Sequence, residues 1–309
     1  GPGASAIPYA PDFRTLGNRV MQSPRSAPYV IPKPDRPYSA TEQRLMARFP
    51  LLQKLDRARV YAQNEARVLG FTSLQGAMRF HEYLFKKHLN QCVPDPDTRA
   101  KLTPDYPMGC KRILISNDYY QALTKYRIPV LTGGVRAITT DGVEDVDGEH
   151  HPADVIIYGT GFQATDFLAP MAITGRRGQD LNQAWRDGAE AYLGITVHGF
   201  PNLFMLYGPN TNLGHNSIIY MIESQIAYVI SALETLERDG HRFVDVRPGV
   251  QDDFNRQLQA RMRDTVWDQG CESWYKTASG KNTNNWPGFT FSYRQRTRHL
   301  DPEDYELHP

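Results

Sequence analysis

Apolar residues recur along this chain with two different periods. Leu51, Leu55, Ala58, Ala62 and Leu69 return at helical spacing up to Gly70, and Leu74, Met78, Leu84, Phe85 and Leu89 give a further helical stretch. Ahead of them, Ser39-Ala40-Thr41-Glu42 has the form of a capping box, so a helix is predicted to start there and to be interrupted at Pro50. A long helix is expected over about 216–236, carrying Ile219, Ile222, Ile226, Ile230 and Leu233 on one side. A last helix is expected over about 251–267, leading into an irregular, Trp-rich tail.

Between the helical blocks the pattern changes to that of strands. Val135 to Thr140 and Val143 to Val146 flank Asp141-Gly142, a hairpin turn signal, and Asp147-Gly148 ends the pair. Val155 to Tyr158 is a continuous apolar run into Gly159-Thr160-Gly161, and Leu203 to Tyr207 runs the same way into Gly208-Pro209-Asn210. Both read as buried parallel strands that end at a cofactor-facing turn. Pro28, Pro32, Pro34 and Pro37 mark one linker, and Pro94 to Pro107 another. The organisation predicted is α/β, with an all-helical insertion between two sheet-forming parts.

Composition narrows the function. With 309 residues the chain has length for about two domains. A net charge of +1 gives no reason to expect nucleic acid or a membrane surface as partner. No stretch reaches the ~18 apolar residues of a membrane span, and a cytoplasmic setting is expected. Cys92, Cys110 and Cys271 are widely spaced, with no C-x-x-C, which removes zinc ribbons and dithiol redox centres. Reduced thiols and no metal are expected.

Three glycine turns carry the candidate chemistry. Gly1-Pro2-Gly3-Ala4-Ser5-Ala6 fits G-x-G-x-x-A, the phosphate-cradling turn of a dinucleotide-binding βαβ unit, although no strand precedes it. With the turns at Gly159 and Gly208 it would place backbone N–H groups at a sheet's carboxyl edge. About 20 residues after the first glycine an NAD site would show an acid; Arg25 stands there instead, and a guanidinium matches the 2′-phosphate of NADP.

At this point the chain resembles the C-terminal part of a Baeyer–Villiger monooxygenase, within the flavin-containing monooxygenase superfamily. Gly3 to Ala6 is similar to the family's NADPH turn. Arg25-Ser26-Ala27-Pro28-Tyr29-Val30-Ile31-Pro32 resembles Q-R-S-x-P-x-V-x-P, with Pro24 at the Gln position. Lys111-Arg112 followed by Asp118-Tyr119-Tyr120 resembles K-R-x-x-x-x-x-D-Y-Y. Val155 to Phe162 is similar to the strand ending A-T-G-F, with Gly159 for Ala. Tyr192 to Ile195, Gly199 to Phe204 and Gly208-Pro209-Asn210 resemble Y-L-G-I, G-F-P-N-L-F and G-P-N. The family's FAD fingerprint and its F-x-G-x-x-x-H-x-x-x-W motif find no match.

The resemblance implies a fold and an activity. The fold is a Rossmann-like NADPH-binding domain (1–38 and 108–162) with a helical insertion (39–107), then the C-terminal portion of an FAD-binding domain (163–309). The activity is insertion of one oxygen atom from O2 beside a ketone carbonyl, giving an ester or lactone through a C4a-peroxyflavin, with FAD and NADPH as cofactors. Arg112 corresponds to the family's catalytic arginine, and Lys111 joins Arg25 at the 2′-phosphate. Gly1, Gly3, Ser5 and Ala6 carry over to NADPH, and Gly159, Thr160 and Gly161 to the junction of the two cofactor domains. Gly208, Pro209 and Asn210 carry over to the flavin ring. Two alternatives are a non-catalytic NADP-binding homologue and a monooxygenase of nitrogen or sulfur. A missing N-terminal half is a further expected partner. His215 reads as a cap for the long helix that follows, and Trp267, Trp274 and Trp286 either edge a substrate pocket or fill a gap between domains.

Overall fold

The structure, a computed structural model, describes residues 19–268 and 271–308, together with residue 7 and residues 11–13. In chain order the elements are β1 (Val30–Ile31), α1 (Ala40–Arg48), α2 (Pro50–Ala66), α3 (Val68–Phe71), α4 (Gly76–Cys92), α5 (Pro96–Lys101), β2 (Leu114–Ile115) and α6 (Tyr119–Lys125). Then come β3 (Val135–Ile138), β4 (Gly142–Asp145), β5 (His150–Pro152), α7 (Leu181–Ala184), α8 (Ile218–Asp239), β6 (Phe243–Val246), α9 (Pro248–Met262), α10 (Thr290–Arg296) and β7 (Tyr305–His308). The class is α/β. No described helix is long and apolar enough to cross a membrane. The chain forms two compact units, one of residues 1–37 and 76–162 and the other of 38–75 and 163–309. The helical block expected over 39–107 is thus divided between the units after Gln75.

In the first unit β1 and β2 pair in parallel, Val30 opposite Leu114 and Ile31 opposite Ile115. Gln22 bridges Val130 in parallel beside them. Their core is aromatic. Tyr29 donates its hydroxyl to the Tyr106 carbonyl at 2.8 Å, and Tyr106 returns the bond to Ala27 at 3.0 Å. Burial pushes the Tyr29 phenol up to about 12. The Asp141-Gly142 turn does join two antiparallel strands, β3 and β4, and β5 adds a third. A side chain at Gly142 would lie 2.2 Å from the His151 carbonyl oxygen, so this turn requires glycine.

The run Val155–Tyr158 is a different matter. It is irregular and open, Val155 being 76% and Tyr158 69% exposed. The expected buried strand does not form, because no described segment offers it a ladder partner, and apolar composition alone cannot satisfy a strand's N–H and C=O groups.

In the second unit the capping box at Ser39 closes in both directions. Glu42 N donates to the Ser39 hydroxyl, and Ser39 N to the Glu42 carboxylate. Pro50 opens α2 rather than breaking a helix, as a first-turn proline can. The core gathers Leu181, Trp185, Val197, Phe200 and Met205; elsewhere in the unit Trp267 stacks on Phe71 and Trp286 packs edge-on against Tyr293, both fully buried. Trp274 stays exposed. The helix α8 buries Met221, Ser224, Gln225, Tyr228, Ala232 and Leu236. Its isoleucine stripe (Ile219, Ile226, Ile230, with Leu233) faces outward. Leu203–Tyr207 is also irregular rather than a strand. Within it Met205 N donates to Ile195 O at 2.8 Å. Of the three cysteines only Cys92 is a free thiol; Cys110 and Cys271 are disulfide-bonded, which corrects the expectation of three reduced thiols.

Candidate cofactor and catalytic residues

The parallel register of β1 and β2 brings two distant sequence motifs to one edge of the first unit. Arg25-Ser26 lies ahead of β1 and Lys111-Arg112 ahead of β2. The contact is direct: Lys111 Nζ donates to Ser26 Oγ at 3.3 Å. The same ammonium sits 4.4 Å from the centre of the Tyr106 ring, a cation–π arrangement that holds it over the aromatic core. Arg25 and Arg112 are exposed, and neither makes an ion pair among the described residues. Three cations that form no ion pair among the described residues are a donor set suited to a phosphate or to negative charge on oxygen. Gly1, Gly3, Ser5 and Ala6 lie outside the described residues.

Gly159, Thr160 and Gly161 follow the open run in the same unit. Gly161 adopts φ +88°, and a side chain built on it would meet nothing. At Gly161 there is therefore room for another group to come close to the backbone.

Gly208-Pro209-Asn210, in the second unit, is built the opposite way. A side chain at Gly208 would lie 2.3 Å from the Gly194 carbonyl oxygen. One at Gly194 would lie 2.2 Å from the Thr211 methyl. The Y-L-G-I and G-P-N motifs are thus pressed backbone to backbone, and both glycines serve the chain's own packing. Asn210 is buried at φ +58°. Its backbone N donates to Thr283 O at 2.8 Å, and its Nδ2 to the carbonyls of Asn282 at 2.8 Å and Asn285 at 3.2 Å. These bonds make it a fastener of the turn. Its Oδ1 is buried and bonded to nothing among the described residues.

Sequence reasoning missed the residues that hold this turn. Asn282 to Trp286, read as part of an irregular tail, lines up beside it: Asn212 N donates to Asn284 O at 2.9 Å, and Trp286 N to Asn212 O at 2.8 Å. Gln225, buried in the middle of α8, accepts from Tyr207 N at 2.8 Å and donates to the Tyr293 hydroxyl at 3.0 Å. Tyr293 in turn donates to Leu193 O at 2.6 Å. Leu193, Asn202, Tyr207 and Asn210 all have positive φ, a concentration of backbone strain that such bonds sustain. The run of asparagines and a glutamine within an apolar helix were the available signals.

His215 is not the helix cap; Ser217 occupies that position. His215 is instead buried with neither ring nitrogen bonded, and burial lowers its pKa to about 4, against an opposing pull from Glu65. Among the described residues Asp145, Glu149 and His151 have metal-ligand spacing. Asp145 is already committed, however: Oδ1 accepts from Asp147 N and Glu149 N, and Oδ2 lies 2.8 Å from His151 Nε2.

No protein-family model matches the chain. It is 46% identical over 309 residues to a protein of Pseudomonas aeruginosa named Baeyer–Villiger monooxygenase, covering 99% of this chain and 59% of that one. A protein of the same name from Streptomyces coelicolor is 40% identical, with 99% and 60% covered. An FAD-binding monooxygenase of Aspergillus niger is 35% identical, with 99% and 52% covered. Among solved structures the fold matches an oxidised steroid monooxygenase bound to NADP, with a TM-score of 0.84 at 22% identity over 100% of this chain and 66% of that one. It also matches a closed cyclohexanone monooxygenase, with a TM-score of 0.83 at 20% identity over 99% and 66%. The chain spans 59% and 60% of the length of the two Baeyer–Villiger relatives.

Proposed function

We propose, from a relationship to Baeyer–Villiger monooxygenases that runs over 99% of this chain, that it is the C-terminal part of an FAD- and NADPH-dependent oxygenase of ketones. In this reading residues 1–38 and 108–162 belong to a Rossmann-like NADPH-binding domain, and 163–309 to an FAD-binding one. The observation that carries it is the meeting of Arg25-Ser26 and Lys111-Arg112 at one strand edge, with Lys111 bonded to Ser26.

Arg25 and Lys111 would hold the 2′-phosphate of NADPH, the group that separates it from NADH. Reduced FAD supplies the chemistry that activates O2. Arg112 would act on charge. A guanidinium stays protonated throughout, and its planar fork suits the negative charge that develops on the carbonyl oxygen of the ketone as it is attacked. Gly161 leaves room for a bound cofactor to approach the chain. Gly208, Pro209 and Asn210 would act as a rigid support beside the flavin ring, since their side chains are engaged with the chain itself.

The test is substitution of Arg112 by Ala in the flavin-loaded protein. NADPH affinity should hold while ester or lactone formation from ketones is lost. Lactone production that survives the substitution removes the assignment. A colourless protein that binds NADPH supports the non-catalytic reading. A yellow one that oxidises amines or sulfides but no ketone supports heteroatom oxygenation.

A further inference from the structure

A cavity of about 620 Å³ opens in the second unit between one face of α2 and the first turns of α8. Its size is that of a small-molecule site, roughly 300–1,000 Å³. None of the residues considered for cofactor or catalysis lines it. Lys54, Arg57, Tyr61 and Asn64 recur on α2 at helical spacing and so share one face. Opposite them α8 presents Ile219, Tyr220 and Glu223, and α10 adds Arg294.

The walls are fixed. Tyr61 and Tyr220 pack ring to ring at 5.2 Å, and the Arg294 guanidinium stands 4.8 Å from the Tyr220 ring centre. Thr290 donates to the buried Glu65 carboxylate at 2.8 Å, so the Tyr61 hydroxyl, 2.9 Å from Thr290 Oγ1, donates in turn. Asn216 and Phe291 N complete the shell of donors around Glu65. The acid beneath the cavity is therefore satisfied by neutral donors and leaves the cations above it unpaired. Lys54, Arg57 and Arg294 make no ion pair among the described residues, and Glu223 is the one acid in the lining.

We infer that this cavity binds a small amphipathic carboxylate. Its acid group is held between Arg57, Lys54 and Arg294, and its ring or alkyl body lies against Tyr220, Tyr61 and Ile219. Complementarity is the argument: a rim with two net positive charges over a largely apolar interior fits an anion with an apolar body, and repels the corresponding amine. The inference does not rest on the oxygenase reading and shares no residue with it.

Calorimetric titration of the protein with 4-phenylbutanoate and with its neutral amide tests it. The acid should bind saturably at one site, roughly tenfold or more tighter than the amide. Arg57→Glu and Arg294→Glu should each weaken the acid by about fivefold or more while leaving the amide affinity unchanged. Arg256→Glu, an exposed reversal away from the cavity, should change neither ligand. Equal binding of acid and amide, an acid affinity indifferent to both cavity reversals, or no saturable acid binding overturns the proposal.

Discussion

Val155–Tyr158 and Leu203–Tyr207 are both short apolar runs that end at a glycine turn, yet the first is open along its length and the second buries Met205 to 5% exposure. The difference lies in what other parts of the chain supply. Around 203–210, Gly194 fills the space above Gly208, Asn282 to Asn285 receive the turn, and Gln225 reaches Tyr207 from α8. Along 155–158 the side chains stay exposed, from 37% at Ile156 to 76% at Val155. An apolar run states that a segment can be buried; long-range polar partners decide whether and how.

The glycines give the sharpest contrast. At Gly208 an added methyl would strike backbone, which cannot swing aside. Gly208→Ala should therefore cost about 4 kcal/mol, at the upper end of single-residue effects. Gly161→Ala meets no atom and pays only for its positive φ, about 1–2 kcal/mol. Urea unfolding followed separately in the two units by hydrogen exchange checks the ranking. Equal losses would abolish the contrast.

The buried region should also carry a pH signature. His215 titrates near 4 in the folded protein and near 6.5 when exposed. Above pH 6.5 both states are neutral and stability is flat. As pH falls from 6.5 towards 4, the unfolded chain takes up a proton that the folded one refuses. Stability then drops, by up to roughly 3 kcal/mol, and levels off below 4. His215→Leu should flatten that part of the unfolding-midpoint profile. A slope that persists unchanged assigns the effect to another group.

Gln225→Met keeps volume but removes both bonds, leaving Tyr207 N without its acceptor and the Tyr293 hydroxyl without its donor. The expected loss is about 2 kcal/mol, with faster amide exchange at Tyr207. Unchanged exchange there would mean that Gln225 does not hold the end of this run.

Local features are legible in the sequence. The Ser39–Glu42 box, the Asp141-Gly142 turn and the extent of α4 depend on neighbours within a few positions, and periodicity finds them. The meeting of Ser26 with Lys111 is not legible from local pattern, since 85 residues separate them and strand pairing brings their segments together. The orientation of α8 was not legible. Its sequence is apolar on two sides, and the buried side carries Ser224, Gln225 and Tyr228, whose partners lie far along the chain. A hydrophobic stripe could not reveal which side would find those partners. The same limit hid Asn282 to Asn285, polar residues whose burial depends on receiving one particular turn.

The smallest expected effect tests the open half of the comparison. Val155 is 76% exposed, so replacing it by Ser removes almost no buried surface and should change stability by less than about 0.5 kcal/mol. Met205→Ser, in the second run, removes a side chain packed with Phe200 and Val197 and buries a hydroxyl, at about 3 kcal/mol. If both substitutions cost the same, Val155 is covered in solution, and the two runs differ in partner and not in burial. A near-zero effect at 155 beside a large one at 205 would instead fix the distinction in the unit itself, because the same type of substitution on the same type of sequence would then be sensing only the packing around it.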